Sequence, residues 1–157
     1  MKIKLICVGK TGKKFLEEGE QEYVKRLGYY LTFERIELPD VKQSKTLTED
    51  QIKSREGEMI QAKIQPGEKV YLLDEKGKEF NSEQFAEFLQ KQFNQGGQAI
   101  VFVIGGPYGF TDALYKIAKG KISLSKMTFS HQMVRMFFVE QLYRSMTILR
   151  GEPYHHR

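Results

Sequence analysis

Five short apolar runs alternate with amphipathic segments along this chain, and the alternation narrows the possible folds more than any other feature. The runs cover residues 3–8, 31–38, 70–73, 99–104 and 122–124, and they draw heavily on Val, Ile, Leu and Phe. Short apolar runs of this composition suit buried parallel strands, and parallel strands are joined by helical crossovers. The sequence therefore predicts an α/β fold, with a mostly parallel sheet, flanking helices and right-handed crossovers.

Helix boundaries are visible between the apolar runs. Residues 48–51 have the pattern of a capping box, and residues 81–84 mark another helix start. Phe80 and Phe85 are placed to form a hydrophobic staple across that second start. The longest helix is expected over about residues 130–149.

Length and apolar content indicate how many domains the chain forms and whether it enters a membrane. At 157 residues the chain is predicted to form a single domain, residues 1–157. No stretch approaches about 18 consecutive apolar residues, and the opening residues MKIKLICVG lack a signal-peptide cleavage site, so we expect no membrane partner. The only cysteine, Cys7, lies in an apolar run. This position indicates a buried thiol in a reducing compartment, and we expect a cytoplasmic protein.

The net charge of +5 is unevenly distributed. Residues 121–157 carry six Lys or Arg against two Asp or Glu, and the first 14 residues carry five lysines and no acid. Such clustering favours an anionic partner, nucleic acid before membrane, although a solvated basic surface is the alternative. Lys10, Lys13 and Lys14 sit at a helix start, where the helix dipole disfavours cations. An external phosphate could offset that cost, but a solvated surface explains these three lysines more simply.

Two glycine- or hydroxyl-bearing segments each follow a predicted strand. Gly105 and Gly106 come directly after the run that ends at Ile104, and residues 123–135 lead from a strand into the last helix. In open α/β sheets, ligands bind outside the carboxyl ends of the strands. Either segment alone is equally well explained as a turn or a connecting loop; together, after neighbouring strands, they would form a nucleotide-sized cleft.

The last predicted helix has more apolar surface than a single packed face needs, because 11 of the 17 residues 133–149 are apolar or aromatic. The excess suggests a second apolar neighbour, most simply a symmetry-related copy of the chain. The alternative is a helix buried within one chain.

Four motifs together identify a family. FVIGGPYG, LSKMTFSHQMVR, EQLYR and RGEPYHHR, in this order, resemble the pseudouridine N3-methyltransferases of the ribosomal large subunit, the RlmH family of the SPOUT superfamily. The similarity also covers the opening MKIKLICVGK and the internal RLGYY and ELPD, and so extends over essentially the whole chain. It implies a C-terminal trefoil knot within roughly residues 70–157 and a homodimer packed through the knotted region. It further implies S-adenosylmethionine as cofactor and N3 of a pseudouridine in 23S rRNA of the assembled ribosome as target.

The resemblance also assigns roles to residues of this sequence. The cofactor-binding positions that it implies are Leu73, Gly105, Leu124, Ser125, Lys126, Met127, Thr128 and Phe129. Tyr154 and His155 match the family's C-terminal pattern, which identifies the tail as a native segment and not the remnant of a purification tag. His156 is an extra histidine, and no role is transferred to it.

We expect His155 to act as the general base that deprotonates the N3 imide, because the reference pKa of histidine lies near the working pH. Tyr154 would stack on the target base or form a hydrogen bond with it. Arg144 and Arg150 would bind RNA phosphate or stabilise the developing imide anion. The alternative for the tail is a purely structural one, docking on the partner subunit.

Two other functions remain open at this point. The chain could be a ribosome- or RNA-binding knot protein that has lost catalysis, or a SPOUT methyltransferase that acts on tRNA. A metal site is not expected, because His131, His155 and His156 lack cysteine or clustered acidic partners at ligand spacing.

Overall fold

The computed structural model describes residues 1–41 and 46–156, and its described part is built on a single five-stranded sheet. The strands are β1 (Lys2–Val8), β2 (Thr32–Leu38), β3 (Lys69–Glu79), β4 (Ile100–Ile104) and β5 (Gly120–Ser123). The helices are α1 (Lys14–Leu27), α2 (Glu49–Gln61), α3 (Ser82–Asn94), α4 (Asp112–Ile117) and α5 (His131–Leu149). The strand order is β2-β1-β4-β3-β5, and every pairing in this sheet is parallel. The predicted parallel α/β fold is confirmed, and each of the five apolar runs overlaps one strand.

The sheet separates two apolar clusters, because successive side chains of a strand point to opposite faces. In β1, Ile3 and Leu5 belong to one cluster, whereas Ile6 and Val8 belong to the other. The first cluster includes Phe138 of α5, together with side chains of α1 and α3. The second includes side chains of α2 and α4. Strands β1 and β4 lie in the middle of the sheet, so nearly all their residues are buried, as the continuous apolar runs predicted.

The expected helix starts are confirmed. Thr48 and Asn81 each form a complete capping box, with Gln51 and Gln84 respectively. Across the second start the rings of Phe80 and Phe85 lie 5.9 Å apart, as a hydrophobic staple requires.

Helix α5 lies between α1 and α3 on one face of the sheet, and its apolar side chains Phe138, Leu142 and Met146 are buried there. Much of its apolar surface is therefore covered within one chain, which was the alternative to a second copy. Met133 in its first turn, and Phe129 just before it, remain exposed.

One buried cation ties the start of α5 to the end of β1. Arg135 is 2% exposed and donates hydrogen bonds to the backbone carbonyls of Val8 (2.6 Å) and Gly9 (2.8 Å). These carbonyls lie at the carboxyl end of the strand and need partners when buried. The side chain therefore fixes the first turn of α5 at the edge of the sheet where the strand-to-helix loops begin.

Two further expectations concern the chain as a whole. Among residues 1–41 and 46–156, no helix is long and apolar enough to cross a membrane. Strand order and pairing do not describe how a chain threads through itself, so the trefoil knot expected within residues 70–157 stays a prediction.

Candidate ligand-binding cleft and C-terminal tail

A cleft of about 340 Å³ lies at the carboxyl ends of β4 and β5 and beside residues 73–75 in the middle of β3. Its volume falls in the range of small-molecule sites. Strand β3 lies between β4 and β5, so the two loops predicted to follow neighbouring strands in fact face each other across a third strand. The loops after β4 and β5, together with residues 73–75 of β3, form the walls. The side chains that line it are mainly apolar, with Leu73, Ile104 and Phe110 among them.

The structure brings together most of the residues expected to bind a cofactor. Leu73 from β3 and Gly105 from the turn after β4 line the same cleft. The loop after β5 contributes Leu124, Ser125, Met127, Thr128 and Phe129. Lys126 is exposed and is not among the residues that line the cleft.

The loop after β5 is shaped by its own hydroxyl groups. The Ser123 hydroxyl donates to the carbonyl of Ser125 (2.9 Å), and the Met127 amide donates to the Ser125 hydroxyl (3.0 Å). Local side-chain bonds of this kind hold a loop in place without a strand partner. The Met127 side chain is left 75% exposed at the mouth of the cleft.

The Gly105–Gly106 turn leaves little space for a side chain at either position, because other groups lie close to the backbone. A Cβ atom on Gly105 would lie 2.8 Å from the ring of Phe110. One on Gly106 would collide with the carboxylate of Glu56, a buried residue of α2. Burial raises the pKa of Glu56, and the nearby charge of Asp40 adds to the effect. The backbone of the turn thus packs closely against Phe110, which also lines the cleft, and against Glu56 of α2.

Two carboxylates that sequence reasoning missed lie at the rim of the cleft. The pairing of β3 with β5 is interrupted between Leu73 and Lys78, and Asp74 and Glu75 fall in the interruption. Thr128 donates to Glu75 (3.3 Å), which links the rim of β3 to the loop after β5. Their position directly after Leu73, at the end of a predicted strand, was the available signal.

Asp74 is held in its ionised form. Partial burial opposes ionisation, but the hydroxyl of Tyr115 (2.6 Å) and the amide of Lys76 (2.9 Å) donate to its carboxylate. With the charges of Lys121 and Lys76, these bonds lower the pKa of Asp74. His131 also lines the cleft. Partial burial and the neighbouring charge of Arg135 lower its pKa, so this histidine is neutral at pH 7.

The C-terminal tail folds back on α5 rather than into this cleft. The Tyr154 hydroxyl donates to Glu140 Oε1 (2.9 Å), and Arg144 Nη2 donates to the same oxygen (2.6 Å). The guanidinium of Arg144 also lies 4.7 Å from the centre of the Tyr154 ring. Burial and the hydrogen bond with Glu140 raise the pKa of Tyr154, so this phenol stays protonated at neutral pH.

The same guanidinium fixes the tautomer of His155. Arg144 Nη1 lies 3.1 Å from His155 Nδ1, and an arginine side chain can only donate hydrogen bonds. The Nδ1 atom must therefore accept, which places the proton of the neutral ring on Nε2, 3.7 Å from Glu83 Oε1. In this arrangement the Nδ1 lone pair of His155 is occupied by the hydrogen bond from Arg144.

The tail and the cleft are nevertheless close neighbours. Glu140 lines a second cavity of about 430 Å³, which shares Leu124 and Phe129 with the first. Arg150 is exposed and packs over the ring of Tyr30 at 4.6 Å. Within a single chain, the predicted catalytic residues Tyr154 and His155 therefore lie near the cleft that holds the predicted cofactor residues, but they do not line it.

The histidines form no metal centre with the groups around them. In the part of the chain that the structure describes, no group of three or more His, Cys, Asp or Glu side chains could hold a metal ion.

Comparison with known proteins identifies the family. A family model described as "Predicted SPOUT methyltransferase" matches residues 1–155. A protein of Christiangramia forsetii named "Ribosomal RNA large subunit methyltransferase H" is 58% identical over 157 residues, the full length of both chains. Proteins with the same name from Flavobacterium johnsoniae and Bacteroides thetaiotaomicron are 55% and 48% identical, over 100% and 99% of each chain. The chain therefore belongs to the SPOUT methyltransferase family, which confirms the resemblance inferred from its motifs.

Proposed function

We propose that this chain is an S-adenosylmethionine-dependent methyltransferase of the ribosomal large subunit. It methylates N3 of a pseudouridine in 23S rRNA of the assembled ribosome, and it acts as a homodimer in the cytoplasm. The observation that carries the proposal is the identity of 58% and 55%, over the full length, to proteins named for large-subunit rRNA methylation. Two of the four family motifs, FVIGGPYG and LSKMTFSHQMVR, also contribute residues to one cleft.

The residues of the cleft fit S-adenosylmethionine. Its apolar wall, with Leu73 and Leu124, suits the faces of an adenine ring, and the glycine turn lets backbone amides approach a polar edge. The rim carboxylates of Asp74 and Glu75 complement a cationic ligand. When bound there, the cofactor would supply an electrophilic methyl group on its sulfonium.

The protein's own contribution to the reaction is to position the base and to manage its proton. Methyl transfer is an in-line displacement, so holding the N3 atom at the right place and angle supplies much of the rate. His155 accepts the N3 proton once its Nδ1 lone pair is freed from Arg144. That movement leaves the guanidinium of Arg144 to stabilise the imide anion, while Arg150 holds phosphate and Tyr154 contacts the target base.

Exposed apolar residues around the cleft support a second copy of the chain. Met127, Phe129 and Met133 lie at or beside its mouth, and each has a large exposed fraction for an apolar residue. Clustered exposed apolar side chains mark interaction surfaces. A partner placed over them would also bring its own α5 and tail close to the cleft. The tail of the partner would then complete each active site.

The test is methyl transfer to defined RNA substrates. The purified protein is incubated with labelled S-adenosylmethionine and with assembled ribosomes, isolated large subunits or bulk tRNA, and the modified nucleoside is identified by mass spectrometry. We expect N3-methylpseudouridine in 23S rRNA from assembled ribosomes.

Two results would favour the alternatives. Label only in tRNA would indicate a tRNA methyltransferase. Absence of cofactor binding by calorimetry would indicate a ribosome-binding protein without catalysis.

A further inference from the structure

A basic patch lies at the start of α1, outside the cofactor cleft and the tail. It consists of Lys10, Lys13 and Lys14 with the ring of Phe15, which is 67% exposed. All three lysines are exposed. Within the described ranges, Lys10 and Lys13 form no ion pair, and Lys14 only approaches Glu18 at 4.0 Å, with both side chains in solvent. The patch is thus a local concentration of positive charge beside an aromatic face.

The charges of the basic patch do not stabilise the helix that they precede. Lys13 is the N-cap of α1 and makes no capping hydrogen bond through its side chain. Cations at a helix N-terminus are opposed by the helix dipole. Exposed charge that is unfavourable for the fold and has almost no internal partner points to an external anion.

The backbone beneath the patch is held firmly by α5. Gln132 Oε1 accepts from the amides of Gly12 (2.8 Å) and Lys13 (3.3 Å). Arg135, one turn further along α5, binds the carbonyl of Gly9 and the hydroxyl of Thr11. A phosphate contact gains specificity when the backbone that presents the charge is already ordered.

The same turn of α5 places the basic patch beside the cofactor cleft. His131 and Val134 line the cleft, whereas Gln132 and Arg135 contact the loop that carries the patch. The cleft and the patch therefore lie on adjacent sides of one helix, whose diameter with side chains is about 10 Å. That distance is within reach of nucleotides next to a base inserted in the cleft.

We propose that the basic patch binds the phosphate backbone of the substrate RNA next to the target nucleotide, and that an unpaired base stacks on Phe15. The proposal rests on the proposed function, since it assigns the RNA to a particular face of the chain. Lysines neutralise phosphates and release counterions, and exposed aromatic rings accept unstacked bases without sequence preference.

The experiment compares two triple variants of the full-length protein. One replaces the three lysines of the basic patch (K10A, K13A, K14A). The matched control replaces three other exposed lysines, at or just beyond the C-terminal ends of helices (K25A, K63A, K91A), and so removes the same charge. Affinity for assembled ribosomes is measured from about 50 to 200 mM salt, alongside methylation rate, S-adenosylmethionine affinity and midpoint of urea unfolding.

Affinity falls as salt rises, and we expect this dependence to be weaker in the patch variant, with the slope of log affinity against log salt less negative by about two. We also expect its kcat/KM to fall about tenfold or more. The control variant should keep the wild-type slope, and both variants should bind S-adenosylmethionine normally. The patch variant should unfold no earlier than the wild type, because its lysines oppose the dipole of α1. The pair Phe15→Ala and Tyr29→Ala tests stacking at the two ends of α1, and only the first should weaken ribosome binding, by about fivefold or more.

Equal slopes and rates for the two triple variants would overturn the basic patch as an RNA surface. That result differs from failure of the proposed function, in which the wild-type protein itself would not methylate ribosomes.

Discussion

The guanidinium of Arg144 contacts three groups of the tail region: the Glu140 carboxylate, the ring of Tyr154 and the Nδ1 atom of His155. As the proposed general base, His155 would have to lose this bond with Arg144 before its Nδ1 atom accepts a proton. Removing the ring should lower kcat about 100- to 10,000-fold if His155 is the general base. We therefore expect that loss of kcat in His155→Ala. S-adenosylmethionine affinity, measured by calorimetry, should not change.

The neighbouring histidine supplies the control for this prediction. His156 is exposed and makes no contact with the Arg144 side chain, so His156→Ala should stay within about twofold of wild type. A wild-type rate for His155→Ala at every pH would remove His155 as the base.

Asp74 is the residue whose charge bears most directly on the choice of ligand. Its folded-state pKa is lowered, so its contribution to stability is present above the unfolded value and is lost only as the pH falls through the folded value. At neutral pH it is therefore a fixed anion at the rim of the cleft. S-adenosylmethionine carries a sulfonium charge that the product S-adenosylhomocysteine lacks, and a nearby anion favours the cationic species.

We expect Asp74→Asn to reduce the ratio of donor to product affinity about three- to tenfold. Calorimetric titration with each ligand measures the ratio. Glu87→Gln, which removes an exposed carboxylate of α3, is the control and should leave the ratio unchanged. Equal loss of affinity for both ligands would mean that Asp74 shapes the cleft without sensing charge.

At the scale of elements, Arg135 supplies the buried hydrogen bonds that join α5 to the end of β1. Arg135→Met keeps the apolar stem but leaves the buried carbonyls of Val8 and Gly9 without their donors. We expect a loss of about 2–5 kcal/mol in the free energy of unfolding, because each unsatisfied buried group costs about 1–3 kcal/mol. Urea denaturation measures it. Arg55→Met, at an exposed position of α2, should change the value by less than about 0.5 kcal/mol, and a similar small effect at Arg135 would contradict the assignment.

The elements that the sequence predicted well are those whose signal is local. Strands β1 and β4 lie in the middle of the sheet, and burial on both faces produced continuous apolar runs. Strand β3 extends to Glu79, well past residue 73, where the predicted strand ended. The extension was missed because its residues are polar or glycine and pair only with the edge strand β5. No apolar pattern marks such residues. The pairing of β3 with β5 is also interrupted between Leu73 and Lys78, so the sequence shows no regular alternation there.

Prediction of the site had a similar limit. The loops at Gly105 and at residues 124–129 could be proposed because each follows a strand and carries family motifs. The order of the strands decides which loops meet, and it is a long-range property. For this reason the rim carboxylates, the position of His131 in the cleft and the docking of the tail on Glu140 became visible only in the structure.

At the scale of the whole molecule, the separation of the tail from the cleft bears on the proposed dimer. In one chain Tyr154 and His155 contact Glu140 and Arg144 in the middle of α5, whereas the cleft adjoins the first turn of that helix. Two copies related by a two-fold axis, with their α5 helices antiparallel, would place the tail of each near the cleft of the other. Each active site would then contain residues from both chains.

This arrangement predicts complementation between two inactive variants. Thr128→Trp blocks the mouth of the cleft and keeps the tail, whereas His155→Ala keeps the cleft and lacks the base. If the tail acts across the dimer, a mixed dimer has one complete site, and random mixing gives about one quarter of the wild-type activity. If the tail acts within its own chain, every site lacks one component and co-expressed variants stay as inactive as each alone. Rates are measured after confirming by calorimetry that Thr128→Trp does not bind S-adenosylmethionine, and by sedimentation that both variants dimerise like the wild type.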